Sequence, residues 1–186
     1  MKLLPLLLLL PTLSIQAADV PSMELKQEAM SVIKPFAKEL KSTMQTAMKA
    51  GGPMQAIELC NTEAAPIAKK ASERSGWNLK RTSLKTRNTD NAPDQWETEV
   101  LNYFAEQKSQ GADPKTLVAS TVQDINGVKT QRFMKAIPTG DVCLKCHGAK
   151  VDDKVLGKIN DLYSQDTAIG YSKGDIRGAF SLSKAQ

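Results

Sequence analysis

Five consecutive residues carry most of the chemistry in this 186-residue chain: Cys143-Leu144-Lys145-Cys146-His147. Two cysteines separated by two residues and followed at once by histidine form the pattern of a c-type haem attachment site. The spacing has a physical basis. Two intervening residues let one turn of backbone present both sulfurs to the two vinyl groups on one edge of a porphyrin. The next side chain then projects over the macrocycle towards the iron. Cys143 and Cys146 are therefore expected as thioether anchors of one covalently attached haem c, and His147 as an axial iron ligand. His147 is the one histidine in the chain, and it occupies the position this chemistry needs. The competing readings are a Cys143–Cys146 disulfide, redox-active or structural, and a zinc site built from Cys60, Cys143, Cys146 and His147. Adjacent residues do not fit the usual spacing of zinc ligands, and a redox-active pair would want a βαβ context that this chain does not show.

Haem iron takes two axial ligands, so the second must be something other than histidine. Three cysteines minus two thioethers leave Cys60, an unpaired thiol that needs an explanation if the chain is exported. Cys60 falls on the apolar face of an expected helix. Met134 falls on the expected strand just before the motif, and methionine would make an ordinary electron-carrying cytochrome. Periodicity leaves Cys60 and the methionines as equal candidates, with an open coordination position behind them. A small cytochrome c, however, is mostly helical with its motif near the N-terminus, whereas this motif lies late in the chain.

The elements that must hold these residues follow from spacing. Leu25, Ala29, Val32, Phe36, Leu40, Met44 and Ala47 mark one face of a helix over about 23–50, with Pro35 expected to kink it and Gly51-Gly52 to end it. Pro53 opens a second helix bearing Ile57, Cys60, Ala64, Ile67 and Ala71, with a break expected at Pro66 and a stop at Gly76. A strand is expected over 77–83, a polar loop over 85–93, and a helix with Trp96, Val100, Leu101 and Phe104 inward, capped by Asn91. A strand over 116–122 turns at Asn126-Gly127 and returns over 128–137. Pro138-Thr139-Gly140 delivers the Cys-x-x-Cys-His motif on a loop. A short helix over 153–163 and a last strand around 179–183 complete an α+β domain with a small antiparallel sheet.

The chain opens with Lys2, a leucine run and small residues at Ala17 and Ala18, which predicts a signal peptide over 1–17 cleaved after Ala17 or Ala18. The expected mature protein is a single domain over 19–186, periplasmic and soluble, with no membrane anchor after cleavage. Export matches the attachment of haem c outside the cytoplasm. Removing the leader takes away one cation from a formal charge of +5. The remaining positive charge is dispersed, and aromatics are 5 % of residues, which argues against nucleic acid binding.

Several stretches together resemble a family of exported single-haem c proteins, similar to haem-bearing PAS-like sensor domains. They are Cys60-Asn61 with Ala65-Pro66-Ile67-Ala68; Arg81-Thr82-Ser83 with Arg87-Asn88 and Asn91-Ala92-Pro93; Cys143 to Gly148; and Asp166 with Gly170-Tyr171 and Gly174-Asp175-Ile176-Arg177-Gly178. Thr89 stands where the family usually has proline. The resemblance implies a PAS-like sheet, haem on the Cys-x-x-Cys-His segment and an axial cysteine matching Cys60. Arg81, Arg87 and Arg177 lie in the matching stretches and are candidates to pair haem propionates. The expected function is a non-enzymatic haem sensor of redox state or a small ligand, speaking to a redox or signalling partner protein in the periplasm. The alternatives are a Met/His electron-transfer cytochrome and, further off, a haem enzyme or a Cys/His zinc protein.

Overall fold

The computed structural model describes residues 20–186. The expected signal peptide and its Ala17–Ala18 cleavage site lie outside the described residues. Four strands form one antiparallel sheet: β1 (Asn78–Thr82), β2 (Val118–Ile125), β3 (Val128–Pro138) and β4 (Ile176–Ala185), in the order β1-β4-β3-β2. The last strand in sequence is thus central. It pairs Phe180 with Arg81 on one side and with Lys135 on the other. This α+β arrangement with a small antiparallel sheet is consistent with a PAS-like fold.

Helix α1 (Met23–Ser75) covers one face and α2 (Gln95–Ser109) the other. The β alternation sorts neighbouring side chains between them. Phe133 joins Ala29, Ile33, Phe36, Ile67, Trp77, Leu79 and Leu182 under α1. Met134 joins Trp96, Val100, Leu101 and Phe104 under α2.

Within α1 the backbone leaves helical geometry at Gly51 and Gly52, the latter at φ 68°, where a side chain would be strained. The expected break is therefore real, and its two halves fold back so that Ile33 and Ile67 share one cluster. Pro35 and Pro66, each expected to kink or break the helix, do not break it. Each removes one hydrogen bond. The adjacent Phe36 and Ile67 are anchored against the sheet, which holds the backbone helical. Gly76 ends α1 as expected.

The cap of α2 also differs from expectation. Asp94, not Asn91, accepts from the Glu97 amide at 2.9 Å, and Glu97 reaches back to the Asp94 amide at 3.0 Å. This reciprocal box satisfies two amides at once, which a lone Asn91 could not. The β2–β3 turn is Asn126-Gly127, both at positive φ, as expected. β4 begins earlier than expected and takes in Gly178. A Cβ at Gly178 would stand 2.3 Å from the Thr82 carbonyl oxygen, so only glycine lets β4 lie this close to β1. No helix among the described residues is long and apolar enough to cross a membrane.

Candidate functional site

The Cys-x-x-Cys-His motif is not a loop but a compact turn. A 3-10 turn over Asp141–Cys143 runs into α3 (Leu144–His147), which closes with the Gly148 amide donating to the Leu144 carbonyl at 3.0 Å. Cys143 and Cys146 are one helical turn apart, both free thiols and both half-buried. The turn is delivered by the end of β3 and followed by α4 (Asp153–Leu162).

His147 is held on several sides. Its Nδ1 donates to the Ala168 carbonyl at 2.7 Å. A carbonyl can only accept, so the proton is on Nδ1 and the Nε2 lone pair is left free. Burial lowers its pKa to about 2, helped by the Arg177 and Arg87 charges and opposed by the Ala168 bond. The ring is therefore neutral at ordinary pH. Tyr171 packs edge-on against it at 6.4 Å.

Cys60 comes to the same place from the second half of α1. Ile57, one turn before it, packs with Val155 and Ile159 of α4 and against Cys146, Val151 and Tyr163. Burial pushes the Cys60 thiol pKa up, while Arg81 and Arg87 pull it back. The Cys146 thiol is likewise raised by burial, lowered by Arg87 and raised by Cys60. Arg87 thus acts on both Cys60 and Cys146, which act on each other, and Arg81 acts on Cys60. The structure thus gathers residues that lie 86 positions apart in the chain. Among the described residues, however, no three His, Cys, Asp or Glu side chains converge closely enough to hold a bare metal ion. The four-ligand zinc arrangement is therefore not formed.

Met134 is placed elsewhere. It is fully buried in the α2-side cluster, whereas Cys146 belongs to the cluster between α1 and α4. Strand alternation turns it to the opposite face from Phe133, into the packing under α2.

The three arginines separate into distinct environments. Arg87 donates through Nε and Nη2 to the two Asp166 oxygens at 3.1 and 3.2 Å, and through Nη2 to the Cys146 carbonyl at 2.6 Å. Arg177 donates to Ser83 Oγ and the Lys85 carbonyl and lies over the Tyr171 ring. Both are engaged by the protein itself. Arg81 is different: burial lowers its pKa, and Cys60 and Tyr163 are the groups whose charge it feels most. It makes no side-chain hydrogen bond to the described residues. Sequence reasoning missed Asp166, Ala168 and Tyr171 as parts of the site. Asp166 and Tyr171 stand in stretches already singled out, but nothing in their types says that they meet His147.

A family model, Tll0287-like, matches residues 15–184. The chain belongs to the Tll0287-like family. Consistently, its fold is similar to that of the cyanobacterial heme-protein Tll0287, with a TM-score of 0.64 at 22% identity, over 89% of this chain and 98% of that one. No curated protein matches the chain significantly. The Tll0287-like assignment spans both Cys60 and the Cys-x-x-Cys-His turn, so the two belong to one family unit.

Proposed function

We propose that this protein is an exported, periplasmic mono-haem c-type cytochrome, working as a redox or small-ligand sensor with His147 and Cys60 as axial ligands. The observation that carries the reading is the preparation of His147: buried, neutral, and with Nδ1 donating to the Ala168 carbonyl so that Nε2 is free. Metal-bound histidines characteristically donate their second ring nitrogen in this way. The related protein's description as a heme-protein points the same way.

The residues present fit a haem. Cys143 and Cys146 are free thiols on one turn. The Thr139 hydroxyl, four residues before Cys143, is buried without a hydrogen-bond partner among the described residues. Arg81 has no acceptor among the described residues and is influenced by Cys60, so it is the arginine left to meet a propionate. Arg87 and Arg177 are already engaged. When bound, haem supplies a one-electron ferric–ferrous couple.

Cys60 is the element that distinguishes a sensor from a carrier. As a ligand its thiolate would be an anion, which ferric iron would hold more firmly than ferrous iron. Arg81 and Arg87 favour the thiolate, while burial favours the thiol. Loss of the bond would free the helical segment that follows the Gly51-Gly52 break, giving two states for a periplasmic partner to read. The reading is of a binding and switching protein rather than an enzyme. A Met/His carrier is not favoured, because Met134 packs under α2.

The test uses protein matured with haem-attachment machinery. Wild type should keep the mass of one haem after denaturation and show a thiolate-type low-spin ferric signal by electron paramagnetic resonance. Cys60→Ala should lose that signal; an unchanged low-spin signal removes Cys60 from the iron. Identical coordination before and after dithionite reduction would favour electron carriage over sensing.

A further inference from the structure

The Arg87–Asp166 ion pair lies within the site but ligates nothing. Its side chains are 12% and 3% exposed. Removing two charges from water is expensive, and a buried pair often adds no stability over apolar residues of the same size. Its connections show what it does instead. Asp166 Oδ1 accepts from the Ala168 amide at 3.0 Å as well as from Arg87 Nε at 3.1 Å. Arg87 Nη2 bonds the Cys146 carbonyl at 2.6 Å and reaches the Ala168 carbonyl at 3.5 Å. That same Ala168 carbonyl receives the His147 Nδ1 proton at 2.7 Å.

The loop is pinned to the motif along its length. The Gly170 amide donates to the Gly148 carbonyl at 3.0 Å and the Tyr171 amide to the His147 carbonyl at 2.9 Å. The Thr167 amide donates to the Thr86 carbonyl at 2.9 Å, next to Arg87. Three segments of chain, at 86–87, 146–148 and 166–171, therefore meet at one ion pair. Asp166 fixes the Ala168 peptide, and Arg87 fixes the turn that carries His147 relative to it.

We propose that Arg87 and Asp166 are positioning residues for His147. They hold the Ala168 carbonyl against Nδ1, and so set the tautomer, ring orientation and donor strength of the imidazole. Only the consequence for iron rests on the haem reading; the tautomer belongs to the protein chain itself. Asp166 also neutralises Arg87, which would otherwise be an uncompensated cation acting on His147.

The first measurement is nitrogen NMR of the imidazole in haem-free protein, clean because His147 is the sole histidine. Wild type should show the Nδ1-protonated tautomer. D166N should shift the tautomer ratio about tenfold towards Nε2–H, the scale of one hydrogen bond of about 1.4 kcal/mol. In loaded protein D166N should raise the midpoint potential, and D166E, which keeps the charge, should restore it towards wild type. R87K keeps the cation but loses the two-pronged grip, and should shift the tautomer ratio in the same direction. If D166N does not fold, R87K decides. An unchanged tautomer ratio together with an unchanged potential in the folded variants would overturn the proposal. Failure of the haem reading would show separately, as wild-type protein that gains no haem mass.

Discussion

The two sides of the molecule solve burial differently. Under α2, apolar side chains from Trp96 to Ala179 enclose a polar cluster that is almost wholly satisfied from within. Glu97, fully buried, receives Lys80 Nζ at 2.9 Å, the Ser181 hydroxyl at 2.7 Å and the Asp94 amide at 3.0 Å. Arg132 donates to Asp94 at 2.6 Å and to Gln123 at 3.0 Å and lies over the Trp96 ring; only its Nε lacks an acceptor. Between α1, α3 and α4 the balance is reversed. Three apolar residues, Ile57, Val155 and Ile159, form the buried cluster, and around it stand three thiols, a neutral histidine and three arginines. Burial there pushes Cys60 and Cys146 up and Arg81 and Arg177 down, the mark of a region that disfavours its own charges. Strained electrostatics of this kind concentrate at functional sites. The first side is closed by the chain's own residues, whereas the second is arranged for a guest.

The comparison can be broken at either end. The largest effect is all-or-none: C143S/C146S should abolish haem retained after denaturation, measured by intact mass, while leaving the α2 side folded. Persistent covalent haem would show that attachment lies elsewhere. Next, F104A removes a fully buried ring from the self-sufficient side. It should cost about 3–5 kcal/mol in chemical denaturation. The visible spectrum of the loaded protein should not change; a changed spectrum would mean that the two sides are coupled through the sheet. The smallest effect is at the α2 cap, where D94A should cost about 1 kcal/mol.

That cap also has a pH signature. Burial opposes ionisation of Asp94, but the Arg132 bond, the Glu97 amide and the charges of Arg132 and Lys80 outweigh it and lower its pKa. A carboxyl lowered on folding adds stability above its unfolded pKa and loses it as pH falls through the folded one. Wild type should therefore lose stability more steeply than D94A below the ordinary carboxylate range. The half-exposed Asp94 side chain keeps that difference small. Parallel acid profiles would show that the Asp94–Arg132 contact contributes no net stability.

What the sequence determined was most of what local spacing sets. The helical faces of α1 and α2, the Asn126-Gly127 turn and the Gly76 stop depend on residues within a few positions of one another. Tertiary structure decided what two distant segments do when they meet. It kept α1 helical through Pro35 and Pro66, because packing of the neighbouring residues outweighs one lost hydrogen bond. It sent Met134 to the α2 face and brought Cys60 to the motif, although periodicity could not rank the two. It also sorted three similar arginines: Arg87 onto Asp166, Arg177 onto Ser83 and Tyr171, and Arg81 left without an acceptor among the described residues. An arginine's partner depends on which carboxylate or carbonyl the fold carries to it across tens of residues, and local spacing holds no record of that distance.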